Sequence, residues 1–224
     1  MPKRTRPAQT TRSEHWLRLL VNQNHHLIDS QLRSRFGWRE EEAITWLSPL
    51  ANDEFAEYSD GEFLARLGVE APIVPLEEFW PRRGACWDGL GRTTNGRRLL
   101  IEAKAHIEEM ASSPSKAGGN SLQQIRLSLN HLKAFLRSPC PHDWSALFYQ
   151  YTNRLAHLYF LRELNKIDAY LVLVYFVGAN DVPEPSTASE WKAANRLLKM
   201  ALCLEQNHRL SRYIAEVFVD VSEW

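Results

Sequence analysis

Nine consecutive apolar residues, Ala169–Val177 (AYLVLVYFV), constrain this chain more than any other segment. The run falls far short of the roughly 20 apolar residues a membrane-spanning helix needs. It predicts a buried central strand instead. The elements around it are read from period and punctuation. Residues 13–32 carry Trp16, Leu19, Leu20, Leu27 and Ile28 on one helical face, with Ser13 as N-cap. A second helix is predicted over 40–50. A third starts at the capping box Ser59-Asp60-Gly61-Glu62 and stops at Gly68. A Pro-punctuated linker (71–81) leads to two strands, 84–90 and 97–106, joined by a Gly/Thr/Asn turn at 91–96.

After a small, polar loop (111–120), helices are predicted over 122–136 and 144–165. The apolar strand, a Pro-rich loop (181–186), a helix (189–204) and a last strand (213–221) follow. This order gives an α/β fold: a mixed central sheet flanked by helices, with an α-helical N-terminal part. Residues 13–224 form one domain, made of the helical part (13–70) and an α/β core (82–224). Residues 1–12, with Lys3, Arg4, Arg6 and Arg12, read as a mobile basic arm.

The 224 residues suffice for one such domain. Lys+Arg and Asp+Glu are both 27, a formal net charge of zero, which argues against a protein that coats nucleic acid non-specifically. A local basic groove stays compatible with that balance. Cys86, Cys140 and Cys203 are odd in number and form no CxxC pair, so neither a disulfide framework nor a zinc site is expected, and a reducing cytoplasm is the expected compartment. No apolar signal core follows the basic N-terminus, and no membrane association is expected.

The chemistry concentrates at Trp87-Asp88-Gly89 and Leu100-Ile101-Glu102-Ala103-Lys104-Ala105-His106. Strand side chains alternate faces, so Glu102 and Lys104 share one face while Leu99, Ile101, Ala103 and Ala105 share the other. If 84–90 pairs with this strand, Asp88 comes close to Glu102. Two carboxylates on adjacent strands suit a hard divalent cation, and the Ala103 carbonyl supplies a further oxygen. Lys104 beside the ion can orient or deprotonate an attacking water. Partial burial and a nearby cation push its pKa down and favour the base role. Glu-Ala-Lys is a poor β-former, so its place in an apolar strand asks for a reason.

Asp88, thirteen residues, then Glu102-Ala103-Lys104 resembles the D…(D/E)xK signature of the PD-(D/E)XK, restriction-endonuclease-like nuclease superfamily. The order of elements after the linker is also similar to that superfamily's core. Trp87 stands where many members have Pro. The resemblance implies a Mg²⁺ (or Mn²⁺) ion held by Asp88, Glu102 and Ala103, Lys104 as the catalytic lysine, and phosphodiester hydrolysis on nucleic acid, DNA first. A homodimer is one assembly open to it. An extra acidic residue from a preceding helix is implied as well: Glu57 is the choice over Glu54 and Glu42. Polar residues after the hairpin are expected at the substrate: Gln124 (with Gln123), then Gln150 and Arg154, spaced i, i+4 on one helix. Arg83, with Arg82, Arg92, Arg97 and Arg98, would bind phosphates. His106 continues the Glu102 face, and Trp80 and Trp87 are expected in the core. The competing account is a catalytically silent module of the same fold that docks nucleic acid or a protein. Carboxylate pairs of the glycosidase type fit poorly with Lys104 between them.

Overall fold

In a computed structural model, the structure describes residues 10–224 together with the backbone of Lys3–Arg4; the rest of the basic arm lies outside the described residues. The elements in chain order are β1 (Lys3–Arg4), α1 (Arg12–Gln23), α2 (His26–Phe36), β2 (Ile44–Ser48), β3 (Glu57–Tyr58), α3 (Asp60–Arg66), α4 (Leu76–Phe79), β4 (Gly89–Thr93), β5 (Arg98–Lys104), α5 (Gly119–Leu136), α6 (Tyr149–Tyr159), β6 (Ala169–Val177), α7 (Ala188–Ala201) and β7 (Ile214–Asp220). Five strands form one mixed sheet in the order β2-β4-β5-β6-β7. β2/β4 and β4/β5 are antiparallel, while β5/β6 and β6/β7 are parallel. The chain is therefore an α/β protein with a mixed sheet flanked by helices.

The apolar run is strand β6, in the middle of the parallel half and buried from Ala169 to Phe176. Alternation splits the core in two. Leu99, Ile101, Ala103, Val172 and Val174 pack with α1 and α2 through Leu17, Leu20, Ile28 and Leu32. Leu100, Leu171, Leu173 and Tyr175 pack with α5, α6 and α7 through Leu129, Leu155, Leu158 and Trp191. Leu99, Ile101, Ala103 and Ala105 therefore lie on the helix-packed face opposite Glu102, as the alternation requires. No described helix is long and apolar enough to cross a membrane.

Several boundaries differ from the sequence reading. Residues 40–50 contain no helix; they supply the edge strand β2, with burial alternating along Ile44–Ser48. Ile44 and Trp46 turn inward, and the β4 partner outweighs the helix-favouring Glu40–Glu42 run. The N-terminal part is therefore not purely helical, and it completes the main sheet. Lys3–Arg4 pairs antiparallel with Glu57–Tyr58 rather than forming part of a free arm, and Arg12 opens α1, whose N-cap is Thr11 and not Ser13. Strand β4 begins at Gly89, not at 84. Gly91 is within it, so the turn shortens to Thr94–Gly96, with Gly96 at φ 79°. The stretch predicted as one helix over 144–165 is α6 followed by a π-helical turn, Phe160–Leu164.

Candidate metal centre

Strand β5 carries the site on its last turn of alternation. Glu102 and Lys104 are 4% and 9% exposed and form an ion pair on the α6 side of the sheet. Lys104 Nζ also donates to the Ala103 carbonyl at 3.3 Å. The antiparallel ladder between β4 and β5 ends at Gly89↔Ile101. One residue earlier, the Asp88 carboxylate takes over the role of a ladder partner and accepts from Ala103 N–H at 2.9 Å. Asp88 thus lies just before the strand rather than in it, yet it reaches the same backbone segment as Glu102.

Helix α6 closes the cluster. Arg154 is 4% exposed. Its Nε donates to Glu102 Oε2 at 2.5 Å and its Nη2 to the Cys86 carbonyl at 2.7 Å, with the guanidinium 4.6 Å from the Trp87 ring centre. The sequence reading placed Arg154 on phosphate; the fold spends its donors on Glu102 and Cys86, because α6 packs this side chain under the sheet. Glu57 stands on β3, not on a helix. It accepts from the Cys86 thiol at 3.5 Å and lies near enough to Asp88 to disfavour its charge.

The electrostatics follow from burial and these partners. Burial works against the Glu102 carboxylate, but Arg154 and Lys104 outweigh it and hold its pKa below the usual range. Burial also works against the Lys104 ammonium, but Glu102 and Asp88 outweigh it and raise its pKa. This reverses the downward shift expected from sequence: the carboxylates gather round the amine more closely than desolvation can offset. Asp88 is the least favoured charge. Burial, then Glu102, push its carboxyl up to about 7. Cys86 is pushed up to about 12 by burial and by Glu57, so it is a poor nucleophile.

Counting Asp88, Glu102 and Glu57 against Lys104 and Arg154, the cluster is one positive charge short. That deficit exists only while Asp88 is ionised, and its raised pKa marks how poorly the residues present compensate it. The hard oxygens that could hold Mg²⁺ are the Asp88 and Glu102 carboxylates and the Ala103 carbonyl, and each already accepts a hydrogen bond: Asp88 from Ala103 N–H, Glu102 from Lys104 and Arg154, and Ala103 from Lys104. Among the described residues, no three His, Cys, Asp or Glu side chains come together to hold a metal ion.

The remaining predicted residues divide. Gln150 lines a small cavity of about 30 Å³ bounded by Glu102, Lys104 and Arg154. It also lines a groove of about 790 Å³ that includes Arg83. Gln124 does neither: its amide donates to the Glu77 carbonyl at 2.7 Å and ties α5 to α4. His106 accepts from Glu108 N–H and caps a short turn after β5. Trp80 and Trp87 are 2% and 0% exposed and belong to the core. Sequence reasoning missed Tyr151, Tyr175 and Met110 on the small cavity, and Arg82 and Lys116 on the groove as parts of one surface. The aromatics carried no signal beyond apolar periodicity.

No protein-family model, no curated protein and no solved structure matches this chain.

Proposed function

We propose that this chain is a metal-dependent phosphodiesterase acting on nucleic acid, DNA first, built on a restriction-endonuclease-like core. One observation carries the reading: Glu102 and Lys104 are buried as a charged pair at the end of a central strand, with Asp88 bonded to the backbone between them. Burying such charges is costly, and they gather where a chemical task requires them. Two helices, a parallel strand and a helix follow the hairpin bearing these residues, which apart from the second helix is compatible with the order hairpin, helix, strand, helix that the superfamily resemblance implies.

Asp88, Glu102 and the Ala103 carbonyl would hold Mg²⁺ (or Mn²⁺), which when bound lowers the pKa of a coordinated water and takes up charge on a phosphate oxygen. Lys104 remains an ammonium and faces the reacting phosphate with a fixed positive charge. The one N–H not spent on Glu102 and the Ala103 carbonyl would stabilise charge that builds on a phosphoryl oxygen, and the proton lost by the attacking water would pass to bulk solvent. Arg154 positions Glu102 and keeps it ionised. The small cavity of about 30 Å³ has room for about two or three waters at about 10–15 Å³ each.

A second reading has its own support. Both Glu102 oxygens are already engaged, one by Lys104 and one by Arg154, so the cluster is also self-consistent as a silent, salt-bridged scaffold that only binds. Cleavage of labelled oligonucleotides with and without Mg²⁺, by wild type and Glu102→Gln, separates the two. The enzyme reading expects Mg²⁺-dependent cleavage by wild type, reduced by roughly 10²–10³-fold or more in the variant. Wild-type protein that is folded and binds oligonucleotide but never cleaves it supports the scaffold.

A further inference from the structure

The groove beside the small cavity is not neutral, although the chain is. Arg82, Arg83 and Lys116 line it together with Ser112, Ser121 and Gln150, and no Asp or Glu does. All three cations are exposed, and none forms an ion pair with a described residue. Arg83 is held in place by its backbone. Its φ is 64°, and its N–H and that of Gly84 both donate to the Asp60 carboxylate, at 3.1 and 3.0 Å. The opposite wall is the loop after β5, tied down by Ser115 N–H to the Ser145 carbonyl at 2.8 Å and by Gln150 N–H to Ser112 Oγ at 2.9 Å. The first turn of α5 ends in this wall, with Gly118 as an N-cap that offers no side-chain acceptor to the free N–H groups.

Gln150 is common to the groove and to the cavity at Glu102 and Lys104, so the groove is the approach to the proposed centre. That approach is selective. The groove of about 790 Å³ adjoins a recess of about 30 Å³, so a phosphodiester reaches the centre by turning out of line with its neighbours, which a stiff duplex resists. A single strand is flexible, and a cationic groove that follows its backbone can deliver one phosphodiester at a time. We infer that the ligand of this groove is a single-stranded polynucleotide, bound through its phosphates by Arg82, Arg83 and Lys116. The inference rests on the phosphodiesterase reading for what happens next, but the binding step stands apart from it.

Fluorescence anisotropy in EDTA tests the binding step without cleavage. The probes are short labelled single strands of DNA and of RNA and a blunt DNA duplex of the same sequence, each at several salt concentrations. Single strands of one or both kinds should bind roughly tenfold or more tighter than the duplex. Each of Arg82→Ala, Arg83→Ala and Lys116→Ala should lower the salt slope by about 0.7 with an unchanged melting temperature. The inference is overturned by a duplex that binds as tightly as the single strands, by variants that keep the wild-type salt slope, or by a polyglutamate peptide that binds as tightly as the single strands. Selective single-strand binding without cleavage in Mg²⁺ would uphold the groove and defeat the enzyme. Cleavage of duplex and single strand alike would do the reverse.

Discussion

At the scale of single residues, the informative contrast is between Glu102 and Asp88. Glu102 has two cations bonded to its carboxylate, whereas Asp88 has one backbone N–H, and burial with Glu102 and Glu57 outweighs the nearby Lys104 and Arg154. A carboxyl whose folded pKa lies near 7, above its unfolded value of 3.8, binds its proton more tightly when folded. Its stabilising contribution is complete below the unfolded value and is lost as the pH rises towards 7. At pH 8 and without metal, the ionised carboxylate therefore destabilises the fold. The isosteric change Asp88→Asn keeps an acceptor for Ala103 N–H and removes the charge. It should raise stability at pH 8 by about 1–3 kcal/mol, and by much less at pH 5, in denaturant melts. Equal stability at both pH values would mean that the charge of Asp88 is already compensated. Strand alternation in the sequence put Glu102 and Lys104 on one face, and the expected pairing of the two hairpin strands brought Asp88 near them. The sequence could not place Arg154 on Glu102, because that contact spans helix and sheet and depends on how α6 packs.

At the scale of elements, the hairpin positions the site through close backbone approach. A Cβ at Gly89 would stand 3.2 Å from both the Ser48 carbonyl oxygen and Ile101 Cβ, so neither side has a flexible group that can yield. Gly89→Ala should cost about 1–3 kcal/mol and, by shifting the end of β4, carry Asp88 off Ala103 N–H. Denaturant melts beside Mn²⁺ titration check both effects; loss of stability with unchanged metal affinity would show that β4 does not position Asp88. Elements buried on both faces were the legible ones: the bounds of β6 follow from its apolar run. β2 was not, since Glu40–Glu42 favour a helix locally and the strand exists through its pairing with β4.

At the scale of the whole molecule, a zero formal charge is compatible with a groove lined by three exposed cations, which only the fold brings together. Arg82 and Lys116 belong to different connections, and composition averages them away. The core carries its own pH dependence. His157 is 1% exposed, ringed by Phe63, Phe79, Trp80 and Trp87, and its Nδ1 lies 2.9 Å from the Asn153 carbonyl. Burial, reinforced by Arg154, pushes its pKa down to about 4. Between about pH 6.5 and 4 the unfolded chain takes up a proton that the folded one refuses, so stability falls as the pH falls through that window. Asp88 acts in the opposite sense over much of the same range, so the comparison needs a variant. From pH 7 to pH 4.5, wild type should lose more stability than His157→Gln, by up to about 3 kcal/mol. Parallel losses in the two proteins would show that His157 takes up its proton without unfolding the core.

The central claim is that Asp88 and Glu102 form a cation site that works on phosphodiesters. Calorimetric titration of Mn²⁺ into wild type and Asp88→Asn at pH 8 tests it most directly, because the same change that should stabilise the fold should remove a metal ligand. The expected result is a single saturable site in wild type that is absent from a variant at least as stable. Equal binding by both proteins, or none by folded wild type, would contradict it and leave a charged scaffold that binds without catalysing.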